Sequence, residues 1–343
     1  MDFKKKAFWT VLSLALAAFT IWFVIRSSGM SISDFWESLK HAKMSWILMA
    51  LLGMFSFILF EGVSLVQIIR ACGHPRHLGR GFLYSATDTY LSAITPSGTG
   101  GQPGIIFFMM KDGIPGAVIT AALVINFVAF NLGLLFWATL ALFLAPNIFF
   151  SYSTLGKVCI IAGFCIFLIL FSVGVLMLRK RELIFRIAMK LVSFLHKIRI
   201  VKNPEKYHRK LERVMEEYKT TVDVVGGHKG MWFNACLMNI LQRFVQIAVT
   251  VFSFRALGGQ GPVRELFSTQ CLAAIGSTCV PIPGAMGISD YLMIEGYKKL
   301  MPEDFAYQVQ MLSRGISFYT CVIVSGITLV IGLILLGRRE KKK

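Results

Sequence analysis

The sequence is poor in the groups that most enzymes depend on. It has six histidines, and only His74 and His77 lie close together, in a loop with Arg70, Arg76 and Arg80; a basic loop explains them better than a metal site does. The seven cysteines, at 72, 159, 165, 236, 271, 279 and 321, are odd in number, mostly inside apolar stretches and without C-x-x-C spacing. They imply neither a disulfide framework nor a zinc site. There is no H-E-x-x-H, no G-x-S-x-G and no pair of carboxylates on a soluble face. No catalytic residue, metal or cofactor is expected, and a non-enzymatic role follows. Acidic residues are scarce too, 18 against 36 Lys and Arg, for a net charge of +18.

What the chain has in abundance is apolar length. Of 343 residues, 55% are hydrophobic, and several runs approach or exceed the ~20 residues that cross a bilayer. Five windows, Ala7–Ile25, Trp46–Ile69, Gly116–Leu144, Leu155–Leu178 and Met231–Ala256, are joined by a sixth from Leu312 to Leu336. The expectation is an all-α polytopic membrane protein with six long transmembrane helices. Lys4, Lys5 and Lys6 before the first run could open a secretory signal, but the run continues unbroken to Ile25, which suits a retained anchor.

The positive charge is sorted rather than spread, which argues for a membrane and against nucleic acid. With the N-terminus in the cytoplasm, 26 of the 36 basic residues fall inside: 3 in the N-terminal tail, 4 between Arg70 and Lys111, 14 between Arg179 and Lys229, and 5 in the C-terminal tail. Both termini are therefore expected in the cytoplasm. Four regions follow: an anchor helix and outer loop (1–45), a first membrane half (46–178), a basic cytoplasmic connector (179–229) and a second membrane half (230–343). The connector holds an amphipathic stripe of Ile184, Ile187, Leu191, Phe194, Leu195 and Ile198 suited to an anionic leaflet. After Pro204 a second stripe of Leu211, Val214, Tyr218 and Val222 follows. A plain linker and a regulatory or partner-binding element are equally open readings.

Each half contains a break. ITPSGTGGQPG, Ile94–Gly104, separates two arms, Gly81–Thr95 and Pro103–Lys111, that are too short to span. PIPGAMG, Pro281–Gly287, separates Arg264–Val280 from Ile288–Leu300. Two re-entrant broken hairpins, 81–111 and 264–300, are expected, entering from opposite faces as parts of an inverted repeat of residues 46–144 and 231–336. Unwound backbone at membrane depth survives only against protein or a polar cavity. The returning arms, starting near Gly104 and Gly287, would aim free N–H groups at an anion such as a phosphate. Pro103 suits a first helical position, and Gly98, Gly100, Gly101, Gly104, Gly284 and Gly287 admit close approach. Alternatively the glycines serve packing and the hairpins are inert plugs. A nucleotide-binding loop is a weaker reading still, since GTGGQP lacks the Gly-Lys-Ser/Thr ending that grips phosphate and magnesium.

Charges at bilayer depth mark candidate sites. Glu61 and Arg243 occupy equivalent places before the two hairpins; Arg243 would clamp an anionic headgroup while Glu61 balances it or takes up a proton, or the two form a buried pair that fixes register. Arg314, at the outer start of the last helix, either holds a headgroup or anchors to the interface. Asn126, Asn131, Gln242, Gln246 and Gln270 would line a route or join helices. Asp88, Asp290 and Glu295 lie in the hairpin arms.

These residues also carry a resemblance. Thr95-Pro96 and Gly100-Gly101-Gln102-Pro103 are similar to the T-P-x-x-x-G-G-Q-P signature of the flippase-like transmembrane domain of lysylphosphatidylglycerol synthases, which include the multiple peptide resistance factors. Glu61-Gly62, the break at Pro281, Pro283, Gly284 and Gly287, and Arg314 followed by Phe318-Tyr319 are similar to that family as well. Ala285 and Asp290 stand where the family usually has glycine and glutamate. The resemblance implies a lipid translocase. Taken with the reading of the residues above, its headgroup site is expected to draw on Glu61, Thr95, Pro96, Gly100, Gly101, Gln102, Pro103, Arg243, Pro283, Gly284, Gly287, Asp290 and Arg314. Its implied partner is an anionic membrane lipid, with a homo-oligomer or a partner synthase as further possibilities. The soluble aminoacyl-transfer domain of the full synthases is not expected, because the chain stops at Lys343. The other readings are a non-transporting lipid-binding or scaffold protein and, less well supported, an intramembrane transferase.

Overall fold

The computed structural model describes residues 40, 42–95, 100–180, 204–279 and 287–340, together with 182, 186, 189 and 193; the side chains of 204–211, 213, 214 and 338–340 are not described. The described residues are helical throughout, with no strand. The helices are α1 (Met44–Ala71), α2 (Leu78–Ile94), α3 (Gly101–Lys111), α4 (Gly116–Leu144), α5 (Pro146–Ser151), α6 (Thr154–Arg179), α7 (Pro204–Gly226), α8 (Lys229–Ala256), α9 (Val263–Gly276), α10 (Ile288–Tyr297), α11 (Glu303–Arg314) and α12 (Cys321–Glu340). A π-helical turn, Gly315–Thr320, joins α11 to α12 without a break.

Five segments are long and apolar enough to cross a membrane: α1, α4, α6, α8 and the rod from Glu303 to Gly337. They contain five of the six expected windows; the first, Ala7–Ile25, lies outside the described residues. The chain is thus a multi-pass membrane protein. Both hairpins form as pairs of short helices, α2 with α3 and α9 with α10. Their tips, 96–99 and 280–286, lie outside the described residues, and so do Ser97, Ala285 and all six residues of the amphipathic stripe from Ile184 to Ile198.

Packing between the halves is reciprocal. α1 and α8, the long helices that precede the hairpins, lie side by side in the most extensive helix contact. The helix that follows the first hairpin, α4, packs on α9 of the second, and the helix that follows the second hairpin, α12, packs on α2 of the first. Apolar side chains gain little from each other in lipid, so close backbone approach and hydrogen bonds have to hold such a bundle. Glycines supply the approach: a Cβ on Gly133 of α4 would stand 2.8 Å from the Asn239 carbonyl oxygen of α8, and one on Gly163 of α6 would fall inside the Ile275 carbonyl of α9. Outward faces stay apolar, as in Ile323, Ile327, Ile331 and Ile334, one turn apart on α12.

The mouth of the first hairpin is tied by charge. Arg80 pairs with Asp112 at 3.3 Å, Tyr84 donates to Asp112 Oδ2 at 2.6 Å, and Arg76 donates to the Asp112 carbonyl at 2.7 Å. Opposite-sign groups at the base of α2 and just past α3 therefore fix the spacing of the two arms. Of the connector, α7 is no free linker: Tyr218, Val222 and Val225 are buried against α4 and its neighbours, and Tyr218 donates to the Met177 carbonyl at 3.3 Å.

Two placements differ from the sequence expectation. α3 begins at Gly101, so Pro103 is the third helical residue rather than the first; it remains within the first turn, where a missing N–H costs nothing. Arg314 does not start the last crossing. Polar residues Glu303–Arg314 extend that helix outward, and Arg314 sits where the α-helix passes into the π turn.

Candidate functional site

The site is built where α1, α2 and α8 meet. Gly62 of α1 and Gly81 of α2 cross with backbone against backbone: a Cβ on Gly62 would lie 2.7 Å from the Gly81 carbonyl carbon. That crossing brings the face of α2 carrying Gly81, Ser85, Asp88 and Ser92, spaced by three or four residues, over Glu61. Glu61 is 4% exposed. Its Oε2 accepts from Ser85 Oγ at 2.9 Å and from Gln242 Nε2 of α8 at 3.2 Å. The Asp88 carboxyl follows one turn beyond Ser85 on the same face of α2, beside Glu61, and Gln102 Nε2 approaches Asp88 Oδ1 at 3.4 Å.

Asp88 thereby meets the start of α3. A Cβ on Gly101 would collide with Asp88 Oδ1 and Ser92 Oγ, so the absence of a side chain at 101 is what lets the α3 N-terminus rest on this carboxylate. Thr95 closes the turn: its Oγ1 accepts the Gly100 N–H at 2.9 Å and donates to the Leu91 carbonyl at 2.7 Å. Of the first-hairpin residues, Thr95, Gly100, Gly101, Gln102 and Pro103 are grouped here; Pro96 lies outside the described residues.

Arg243, one position beyond Gln242, is 8% exposed. Its guanidinium carbon sits 3.7 Å above the centroid of the Phe130 ring, and Nη1 donates to Gln246 Oε1 at 2.6 Å. Its Nε has no acceptor, and it forms no ion pair among the described residues. The alternative reading of Glu61 and Arg243 as a direct ion pair is therefore not met, although the two are close enough to interact electrostatically. A planar cation stacked on an aromatic face is stabilised, but its charge remains uncompensated.

Polar groups continue from here along α8 in both directions. Towards its start, Ser64 Oγ donates to Asn126 Oδ1 at 2.8 Å, and Asn239 Nδ2 donates to Ser64 Oγ at 3.1 Å and Asn126 Oδ1 at 3.2 Å. Towards its end, Thr250 and Ser313 hydroxyls meet at 2.7 Å, and Tyr297 donates to Gln270 Oε1 at 2.6 Å. Asn126, Gln242, Gln246 and Gln270 thus bond other side chains, whereas Asn131 bonds only its own helix at Phe127.

The second hairpin organises a separate cluster. Gly287, at φ +85°, adopts a backbone that a side chain would strain. Its N–H is not free for a ligand; it is donated to Asp290 Oδ2 at 3.0 Å. Asp290 Oδ1 accepts from Gln310 at 2.7 Å and pairs with Arg314 Nε at 3.1 Å, and Arg314 extends over Phe318 in the π turn, 5.7 Å from its centroid. Pro283 and Gly284 lie outside the described residues. Asp290→Ala is expected to cost ~1–2 kcal/mol, from a cap worth ~1 and a partly exposed pair worth up to ~1. Asp290→Asn keeps the cap acceptor and should lose about half of that, read as melting temperature in detergent. Glu295 belongs to neither cluster: it accepts the Ser153 N–H at the mouth of the second hairpin.

Sequence reasoning left out Ser64, Ser85, Asn239 and Thr250. Serine and threonine are ordinary in apolar helices, and only the helical spacing of Gly81, Ser85 and Asp88, four and then three residues apart, carried a signal.

No curated protein matches the chain. A family model described as the lysylphosphatidylglycerol synthase TM region matches residues 10–325. That match is to a transmembrane region rather than a catalytic domain, and it links the chain to the metabolism of membrane lipids. With nearly all its helices inside the matched span, the chain belongs to the lysylphosphatidylglycerol synthase transmembrane family.

Proposed function

We propose that this protein is a lipid translocase of the bacterial cytoplasmic membrane, moving a phosphate-bearing lipid between leaflets, such as an aminoacylated phosphatidylglycerol or a polyprenyl-phosphate lipid. The carrying observation is Arg243: a buried guanidinium that forms no ion pair among the described residues and whose Nε has no acceptor. Such a charge is costly unless a partner arrives, and a phosphate satisfies it through paired N–H donors. Glu61, Asp88 and the start of α3 set the polarity around it. The Asp290–Arg314 pair is a second headgroup contact that opens when a lipid competes for Arg314.

In this reading 7–25 is a sixth crossing, both termini are cytoplasmic, and the halves 46–178 and 230–343 form an inverted repeat. The exchange of partners between halves, α4 with α9 and α12 with α2, supports that arrangement. Rocking of one half against the other would open the Arg243 region to each leaflet in turn. The protein does no covalent chemistry, and a homo-oligomer or a partner synthase would supply or receive the lipid. A lipid-binding scaffold that moves nothing is the alternative.

Purified protein in liposomes should accelerate exchange of a fluorescent anionic phospholipid between leaflets; binding without exchange, for that lipid and for a polyprenyl phosphate, would favour the scaffold. Gly101→Ala provides a graded version of the test. Its methyl meets only the ends of Asp88 and Ser92, so the chain should fold while the carboxylate is displaced from the α3 N-terminus. Exchange should slow about 10-fold, equivalent to ~1.4 kcal/mol of barrier.

A further inference from the structure

Two carboxyl groups placed together at bilayer depth raise the question of what lies between them. Glu61 reaches the pair from α1 and Asp88 from α2, one turn past the Ser85 that bonds Glu61 and on the same face. Two carboxylate anions can only repel; a hydrogen bond between them requires a proton. Glu61 Oε2 already accepts two bonds, from Ser85 and Gln242, and Asp88 Oδ1 receives Gln102.

Gln242 supplies a second, independent observation. It is fully buried, and while its amide nitrogen is given to Glu61, its Oε1 has no donor. An unused acceptor beside a carboxyl pair is a place for an acidic hydrogen. One residue on, Arg243 Nε is a buried donor without an acceptor. Among the described residues, the charged groups that act on Glu61 are Asp88 from α2 and Arg243 from α8; α4 brings the neutral Asn126 near it through Ser64, and the π turn carries Tyr319.

We propose that Glu61 and Asp88 form a proton-binding site coupled to the anion site at Arg243, so that proton uptake and phosphate binding favour each other. The proposal deepens the translocase reading and rests on it for the identity of the anion. Its logic is charge balance in a low dielectric. With both carboxyls ionised, the pair carries two negative charges close to Arg243 without pairing with it, and these repel a phosphate. Each proton taken up removes one of those charges, leaving Arg243 in need of an anion. Linkage is reciprocal: a phosphate seated on Arg243 draws a proton onto the pair, and loss of the proton expels the phosphate. An anionic lipid would then cross together with a proton, and a proton gradient could drive the cycle.

The test separates this inference from transport. Fluorescent phosphatidylglycerol binding to the purified full chain in detergent is measured in mildly acid and mildly alkaline buffer. Binding is expected to be about 5-fold or more tighter at the acid end, the lower range of ordinary allosteric coupling. In the E61Q/D88N double variant, it should not change with pH. Infrared spectra of the wild type should show a protonated carboxyl band that is lost in E61Q/D88N and altered by adding phosphatidylglycerol. Binding of the wild type that does not depend on pH, or a carboxyl band untouched by both the lipid and the substitutions, would overturn the proposal. The wild-type measurements stay decisive if the double variant does not fold. Should pH-linked binding appear without leaflet exchange in liposomes, the proton site stands and the translocase reading fails.

Discussion

Leucine at Gly62, or at Gly81, is expected to leave little folded protein. The two glycines are each other's contact: the Cβ of one would lie 2.7–2.8 Å from the carbonyl group of the other in the first case and closer still in the second. The obstacle on both sides is backbone, so no change of rotamer relieves it, and α1 and α2 have to separate. Overpacking of this kind costs ~1–3 kcal/mol or more. Separation also breaks the Ser85–Glu61 bond and leaves a buried acid short of a donor, a further ~1–3 kcal/mol. Together these approach the ~5–15 kcal/mol by which whole domains are stable. The expected result is aggregation on size-exclusion chromatography in detergent, or a melting temperature far below that of the wild type. A Gly62→Leu protein that melts with the wild type would mean that α1 and α2 do not cross here.

That crossing marks the boundary of what can be read from sequence. The five described crossings were legible because apolar length is a local property, and a run such as Gly116–Leu144 needs no partner to declare itself. The hairpins were legible for a similar reason: Pro and Gly at 94–104 and 281–287 interrupt apolar arms too short to span. The partners of Glu61 were not. Equivalent positions before the two hairpins suggested Arg243, whereas the actual partners come from Ser85, Gln242 and Asp88, and which face of α2 meets α1 depends on one glycine pair among 30 glycines. Arg314 was read as the outer start of the last helix because Glu303–Met311 is too polar to enter an apolar window, although Pro302 just before it and Glu303 and Asp304 in its first turn mark a helix start. The π turn that follows is a change of hydrogen-bond register without a compositional signature.

Arg243→Gln is the substitution that best divides function from stability, because the two should move in opposite directions. The guanidinium is buried, stacked on Phe130 and bonded to Gln246, yet its charge is unpaired in the lipid-free protein. Removing an uncompensated buried charge relieves desolvation, and exchanging buried charges for neutral groups often stabilises by ~1–4 kcal/mol. The lost hydrogen bond to Gln246 and the lost cation–π contact, each worth ~0.5–2 kcal/mol, oppose that gain. The variant should therefore melt at or slightly above the wild-type temperature. Transport should fall steeply, since a charged contact to a buried phosphate is worth ~2–5 kcal/mol, or about 30-fold at the lower end at ~1.4 kcal/mol per tenfold. Arg243→Lys retains the charge but not the planar fork or the full ring stacking, and should recover part of the exchange while remaining below wild type. If Arg243 were only a structural strut between α8 and α4, the order would reverse: Arg243→Gln would melt early, and any loss of exchange would follow the loss of folded protein.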